Sequence, residues 1–226
     1  MNSILTQLHN DHQIWHGNSH STAVNTLTTG YSKLDKYLNG GLPDNSVIEI
    51  QSINGIGELR LIIPYLAQKA QAAKLLTFIA PPSNICSQML ASSGIEASQV
   101  LVLNTQKQQD TLWSVEQCLK SGCVGAIVLW HQQFTSAQIK RFKLAAQQGQ
   151  ASLIIIRPQP HLSLSLPVQL SLQLAPHAHG LMVTINKQLG FWPKAPYFLD
   201  MRKQWPDLAE QQKPSNVIEL HQQKVG

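Results

Sequence analysis

The sequence predicts an α/β domain built on a largely parallel sheet, and three observations carry that expectation. Apolar, β-rich runs recur along the chain with helix-like segments between them. The runs are continuously apolar rather than alternating, which suits strands covered on both faces. None of them approaches the roughly 18 apolar residues of a membrane span, so the chain reads as soluble, with no membrane contact.

In chain order, the predicted strands are SVIEIQS, KLLTFIAP, QVLVLN, GAIVLWH, ASLIIIRP and GLMVTINK. Three helices are placed by their apolar stripes and ends. The first, ELRLIIPYLAQKAQAA, aligns Leu59, Ile62, Ile63, Leu66 and Ala70 on one side, with Pro64 expected to bend it or mark a late start. The second, DTLWSVEQCLKSG, takes Asp110 as its cap, buries Leu112, Val115 and Leu119, and stops at Gly122. The third, TSAQIKRFKLAAQQGQ, starts at Thr135 or Ser136 and ends near Gly149.

The 226 residues fit one domain. A short N-terminal helix or arm over 1–13 precedes a domain at 14–202. From 203 onward the Gln-, Lys- and Pro-rich composition reads as a mobile tail. Its apolar island at Val217, Ile218 and Leu220 is open to two readings, a docking peptide or a tail packed on its own domain. The N-terminus lacks a secretory pattern, and Cys86, Cys118 and Cys123 form no paired framework. A cytoplasmic location follows as the expectation. Seventeen Lys and Arg against twelve Asp and Glu give a net charge of +5, and the pI near 9.2 favours an acidic partner such as DNA or an acidic protein.

The segment EIQSINGIGELRL begins like a strand feeding a phosphate loop of the form G-x-x-x-x-G-K-[ST]. On that pattern Ser52 takes the first glycine position, Gly57 the second, Glu58 the lysine and Leu59 the magnesium-binding hydroxyl; Gly55 and Gly57 suit a tight turn without a ligand. Glu58 also brings negative charge toward any phosphate. A like-charge pair at ~4 Å costs on the order of 4 kcal/mol at an effective dielectric of ~20. After AIVL comes Trp130 rather than a carboxylate, and LLTFIA runs into Pro81, Pro82 and Ser83 rather than a glutamate. With three parts of ATP chemistry missing, neither a nucleotide cofactor, a metal, nor enzymatic activity is expected.

Upstream, TTGYSKLDKYLNGGLPDNSVIEI resembles the entry to the ATPase core of the RecA family. QIWHG resembles the short strand before it, and LMVTINKQLGFWPKAPYFLD the late hairpin whose lysine, here Lys187, senses nucleotide across a filament. The likeness covers residues 14 to about 202 and implies a RecA-like, P-loop NTPase-type core with a mostly parallel, twisted sheet and a degenerate nucleotide site. The missing ligands, reduced N-terminal helix and short loops after AIVLW and IIIRP set the chain apart from RecA itself. GIGELRLIIPYLA, FIAPP, LWSVEQCLKSG, AIVLW, LAAQQGQ and IIIRP resemble the RecA-related ImuA family, and from about Leu61 to Pro158 the chain is also similar to the SulA division inhibitors. The intact TTGYSKLD and NGGLP favour ImuA.

The ImuA resemblance implies a noncatalytic adaptor of SOS-induced translesion synthesis. Its partners would be an ImuB-type polymerase-like protein, an error-prone DNA polymerase, RecA and DNA bound without sequence preference. The SulA resemblance implies instead an inhibitor that binds the tubulin-like septation GTPase.

Among other groups, Lys140, Arg141, Lys143 and Arg157 are candidates for DNA phosphate contact, with a solvated helix face as the alternative. Trp130, His131 and Phe134 fall at the carboxyl end of a strand, where open α/β sheets bind ligands. Together with Glu58 and Arg60 they form the candidate protein-binding face, with core or hinge packing as the alternative for Trp130. His9, His12, His16 and His20 share helical spacing but lack a completing ligand, and His177 and His179 flank a turn; both sets read as surface histidines.

Overall fold

The computed structural model describes residues 25–71, 74–158 and 166–206. The N-terminal arm, the four clustered histidines, QIWHG and the island at Val217 to Leu220 lie outside them. Among the described residues no helix is long and apolar enough to cross a membrane.

A small antiparallel pair, β1 (Thr26–Leu27) and β2 (Leu42–Pro43), brackets a short helix α1 (Ser32–Tyr37). Then follow β3 (Val47–Gln51), α2 (Glu58–Gln71), β4 (Leu75–Ile79), α3 (Ser87–Ser92) and β5 (Val100–Leu103). The chain continues through α4 (Gln108–Lys120), β6 (Val124–Trp130), α5 (Ser136–Gly149) and β7 (Ser152–Arg157), and closes with β8 (Leu170–His177), β9 (Gly180–Gln188) and β10 (Tyr197–Asp200). The eight-stranded sheet has the order β10-β9-β8-β3-β7-β6-β4-β5. Its strands are parallel from β8 through β5, and β9 and β10 add an antiparallel edge. The expected α/β class with a mostly parallel sheet is what the structure has.

Side-chain alternation divides the core between the two faces. Ile48, Ile50, Val128, Ile154 and Ile156 pack with Ile62, Tyr65 and Leu66 of α2. Val47, Ile127, Leu129, Leu153 and Ile155 pack with Val115, Leu119, Ile139 and Phe142 of α4 and α5. Each fully buried aliphatic side chain contributes about 1.5–3 kcal/mol of transfer free energy, which explains strands apolar at nearly every position.

Pro64 does not interrupt α2. Proline lacks the N–H that would bond the carbonyl four residues earlier, and the Arg60 carbonyl instead accepts the Tyr31 hydroxyl at 3.4 Å. Gly30, at φ +80, lets the preceding loop close on the proline ring, since a Cβ there would stand 2.7 Å from Pro64 Cβ. Helix α4 starts two residues before the expected cap Asp110, with Lys107 at the N-cap. Thr111 turns its hydroxyl back to the Lys107 carbonyl at 3.1 Å, so the first turn is closed from within. Helix α5 starts as expected: Thr135 Oγ1 accepts Gln138 N–H at 3.2 Å while Gln138 Oε1 accepts Thr135 N–H at 2.8 Å.

Candidate functional site

The turn after β3 is built from Ser52 to Gly57. Gly55 and Gly57 take φ +84 and +110, values that favour glycine because it has no Cβ. Successive backbone N–H groups at such a turn form an anion-binding concavity at the positive end of a helix. Here the anion is the chain's own. Glu58, the first residue of α2, is only 5% exposed. Its carboxylate accepts the Gly55 N–H at 3.1 and 3.2 Å and the Gly57 N–H at 3.2 Å. The sequence shows Glu58 as a charge hostile to phosphate; the geometry adds that its carboxylate bonds the turn's own N–H groups. Leu59, at the hydroxyl position, packs against the α2-side core, and Ser52 turns its hydroxyl to the Ile53 carbonyl at 2.7 Å.

Beside this turn lies a buried ion pair. Arg157 at the end of β7 donates to Glu49 of β3 at 2.5 Å, and the residues are 6% and 2% exposed. Ser171 of β8 and Gln51 donate to the other Glu49 oxygen, at 2.5 and 3.2 Å. The expectation that Arg157 is an exposed phosphate contact is therefore corrected, because its guanidinium is consumed inside the sheet. Its Nη1 also donates to the Gln132 carbonyl at 3.2 Å, anchoring the loop that follows β6.

The end of β6 and that loop carry three of the expected partner residues. Trp130 is half-buried and stacks on Phe78 with centroids 6.3 Å apart. His131 meets Phe134 edge-on at 4.9 Å, and burial holds its imidazole below the ordinary value, partly opposed by a backbone hydrogen bond to Gln133. Among the described residues, the buried Trp130 Nε1 and His131 Nε2 have no hydrogen-bond partner. Arg60 is drawn elsewhere, over the Trp205 ring at 5.6 Å. Trp205 donates to the Tyr31 hydroxyl at 3.0 Å, whose pKa is pushed up to about 12, chiefly by burial. The structure thus keeps His131 and Phe134 in contact, packs Trp130 on the α2 side of the sheet and Phe134 on the α4/α5 side, fills the turn with Glu58, and draws Arg60 over Trp205.

On α5, Lys140 and Arg141 are exposed and Lys143 is half-buried, while Phe142 is in the core. Arg141 pairs with Glu116 of α4, leaving Lys140 and Lys143 outside any ion pair found among the described residues. His177 lies tilted against the Phe198 ring, with centroids 4.3 Å apart. The three cysteines are free, with the half-buried Cys118 thiol raised mainly by burial.

Residues 46–152 match the family model "Cell division inhibitor SulA". The Photorhabdus laumondii cell division inhibitor SulA is 29% identical over 100 residues, 44% of this chain and 56% of that protein. The Yersinia pestis (strain Pestoides F) SulA is 26% identical over 144 residues, 64% of this chain and 82% of that one. The crystal structure of SulA from Pseudomonas aeruginosa shares 28% identity, with 50% of this chain and 98% of that chain covered and a TM-score of 0.43. This chain therefore spans little more than half the length of the Photorhabdus relative and about four-fifths of the Yersinia one.

These matches overturn the expectation of a translesion-synthesis accessory. That reading gave weight to TTGYSKLD and NGGLP, which lie upstream of residue 46 and hold the start of α1 and all of β2. Across the segment holding β3, the filled turn and β6, the chain is similar to the SulA cell division inhibitors, relatives named for inhibition rather than catalysis.

Proposed function

We propose that the chain is a SulA-like inhibitor of cell division that binds the tubulin-like septation GTPase and acts by contact rather than by catalysis. The observation that carries this reading is the family match over residues 46–152. The filled turn supports it independently: with the Glu58 carboxylate on the Gly55 and Gly57 N–H groups, a nucleotide phosphate would have to displace a bonded anion from its own loop. The core is read as RecA-like with a degenerate phosphate loop, a reading supported by a glycine turn that leaves a central parallel strand and leads into α2.

The rim at the end of β6, where His131 and Phe134 are in contact, is the contact face. It stands at the carboxyl ends of parallel strands, where α/β sheets present their ligand surfaces, and its loop is anchored by Arg157. Overproduction in a bacterial host tests the function. Filamentous cells without septa are expected, and normal division with abundant folded protein would refute it.

A further inference from the structure

The turn joining β9 to β10 reads Leu189-Gly190-Phe191-Trp192-Pro193, and its side chains face water. Trp192 is 89% exposed, Leu189 50% and Phe191 45%. Tryptophan is highly buried on average in folded chains, and three large apolar side chains at one tip form a patch of the kind that marks interaction sites.

The tip is held rather than loose. Lys194 Nζ donates to the Tyr37 carbonyl at 2.6 Å and to Asn39 Oδ1 at 2.8 Å, and lies 5.6 Å from the centroid of the Tyr37 ring. Tyr37 returns a hydrogen bond to the Ala195 carbonyl at 2.7 Å and stacks on Tyr197 at 5.1 Å. On the other limb Leu189 N–H donates to the Gln169 carbonyl at 3.0 Å, and Asn39 donates to Gln188 at 3.3 Å. The turn is thus clamped to the C-terminal end of α1. A fixed tryptophan binds at little entropic cost, which is what makes such residues anchors of interfaces.

Charge narrows the partner. Lys33 and Lys36 on α1 are exposed, and no ion pair involves either among the described residues. The one carboxylate of α1, Asp35, is turned inward to the Thr29 N–H at 2.7 Å and the Thr29 hydroxyl at 2.6 Å. Lys194, although bonded, adds further positive charge, and the whole chain carries +5. An apolar anchor with a cationic surround complements an apolar cleft or side chain rimmed by carboxylates. A second copy of this basic chain would meet like charge.

We propose that the Leu189–Trp192 tip, with Lys33 and Lys36, is a docking surface for an acidic protein segment bearing apolar anchor residues. The tip lies outside the 46–152 segment that matches the division inhibitors, so the surface is additional to the proposed inhibitory face.

The test is panning of a random-peptide phage library on the intact chain and on its W192A variant, followed by anisotropy measurements with the enriched peptides. A side chain this exposed can be removed without disturbing the core. Peptides rich in Asp and Glu with Leu, Ile or Phe are expected to enrich on the parent alone. Their affinity should fall at least tenfold in W192A, and should fall severalfold and lose its salt dependence in K33E/K36E. Enrichment of neutral or basic peptides, or equal enrichment on W192A, would overturn the proposal. So would tighter, Trp192-dependent binding of oligothymidylate or anionic vesicles in the same assay. Filamentation on overproduction should be unchanged in W192A; its loss would merge the tip with the inhibitory face and defeat the claim of a separate partner. The peptide readout stands whether or not the division reading does.

Discussion

The Glu58 carboxylate lies 3.1 Å from the Gly55 nitrogen, three residues back in its own turn. A group that would repel a ligand phosphate thereby becomes the internal anion of the loop. Hydrogen bonds to a charged group are worth roughly 1.5–3 kcal/mol net, and E58A removes the acceptor while leaving the N–H groups of Gly55 and Gly57 in place. The variant should lose about 2 kcal/mol of stability, read from urea unfolding midpoints. The parent protein should show no heat of binding with ATP and magnesium in calorimetry.

The Glu49–Arg157 pair predicts a larger effect. Removing one member of a buried pair strands the other charge and costs about 3–5 kcal/mol. R157A should therefore be among the most destabilising changes in the protein, and E49A comparable. If the double variant E49A/R157A is about as stable as either single one, the two residues act as a unit; additive losses would show that they do not.

Thr135 caps α5 through a reciprocal pair of hydrogen bonds with Gln138. Replacing an N-cap threonine by alanine costs typically ~1 kcal/mol. T135A should show that loss in denaturant unfolding, whereas K140A on the solvent side of the same helix should stay within about 0.5 kcal/mol of the parent.

His131 sets a pH dependence. Burial lowers its folded pKa below 6.5, so the unfolded chain takes up the proton first as the solution is acidified. The stability associated with the neutral ring is present above about 6.5 and is lost as pH falls through the lower folded value. H131N should flatten that part of the acid limb when urea midpoints are plotted against pH.

The strands covered on both faces were legible because their apolar runs are continuous, and SVIEIQS, GAIVLWH and ASLIIIRP coincide with β3, β6 and β7 within a residue or two. Strand β8 was missed as a separate element, since LSLQLAPH alternates, ends in proline and histidine, and shows its outer half to solvent. The short α1 and α3 are too brief to display helical periodicity. In the candidate site, the glycine turn and its missing lysine could be read directly. The closure of Glu58 on that turn could not, although a glutamate directly after a Gly-x-Gly turn at a helix start is a usable signal. Arg157 was misplaced because nothing in one sequence reveals that β3 and β7 are neighbours, with Gln51 opposite Arg157 and Glu49 two residues away on the same face.

Inhibition of division by contact can be read from GTP-driven assembly of the purified tubulin-like division GTPase, followed by light scattering and sedimentation. The folded chain is expected to suppress polymer in near-stoichiometric amounts without ATP, with F134A at the rim weakening suppression and W192A leaving it unchanged. Full assembly in the presence of excess folded chain would contradict it.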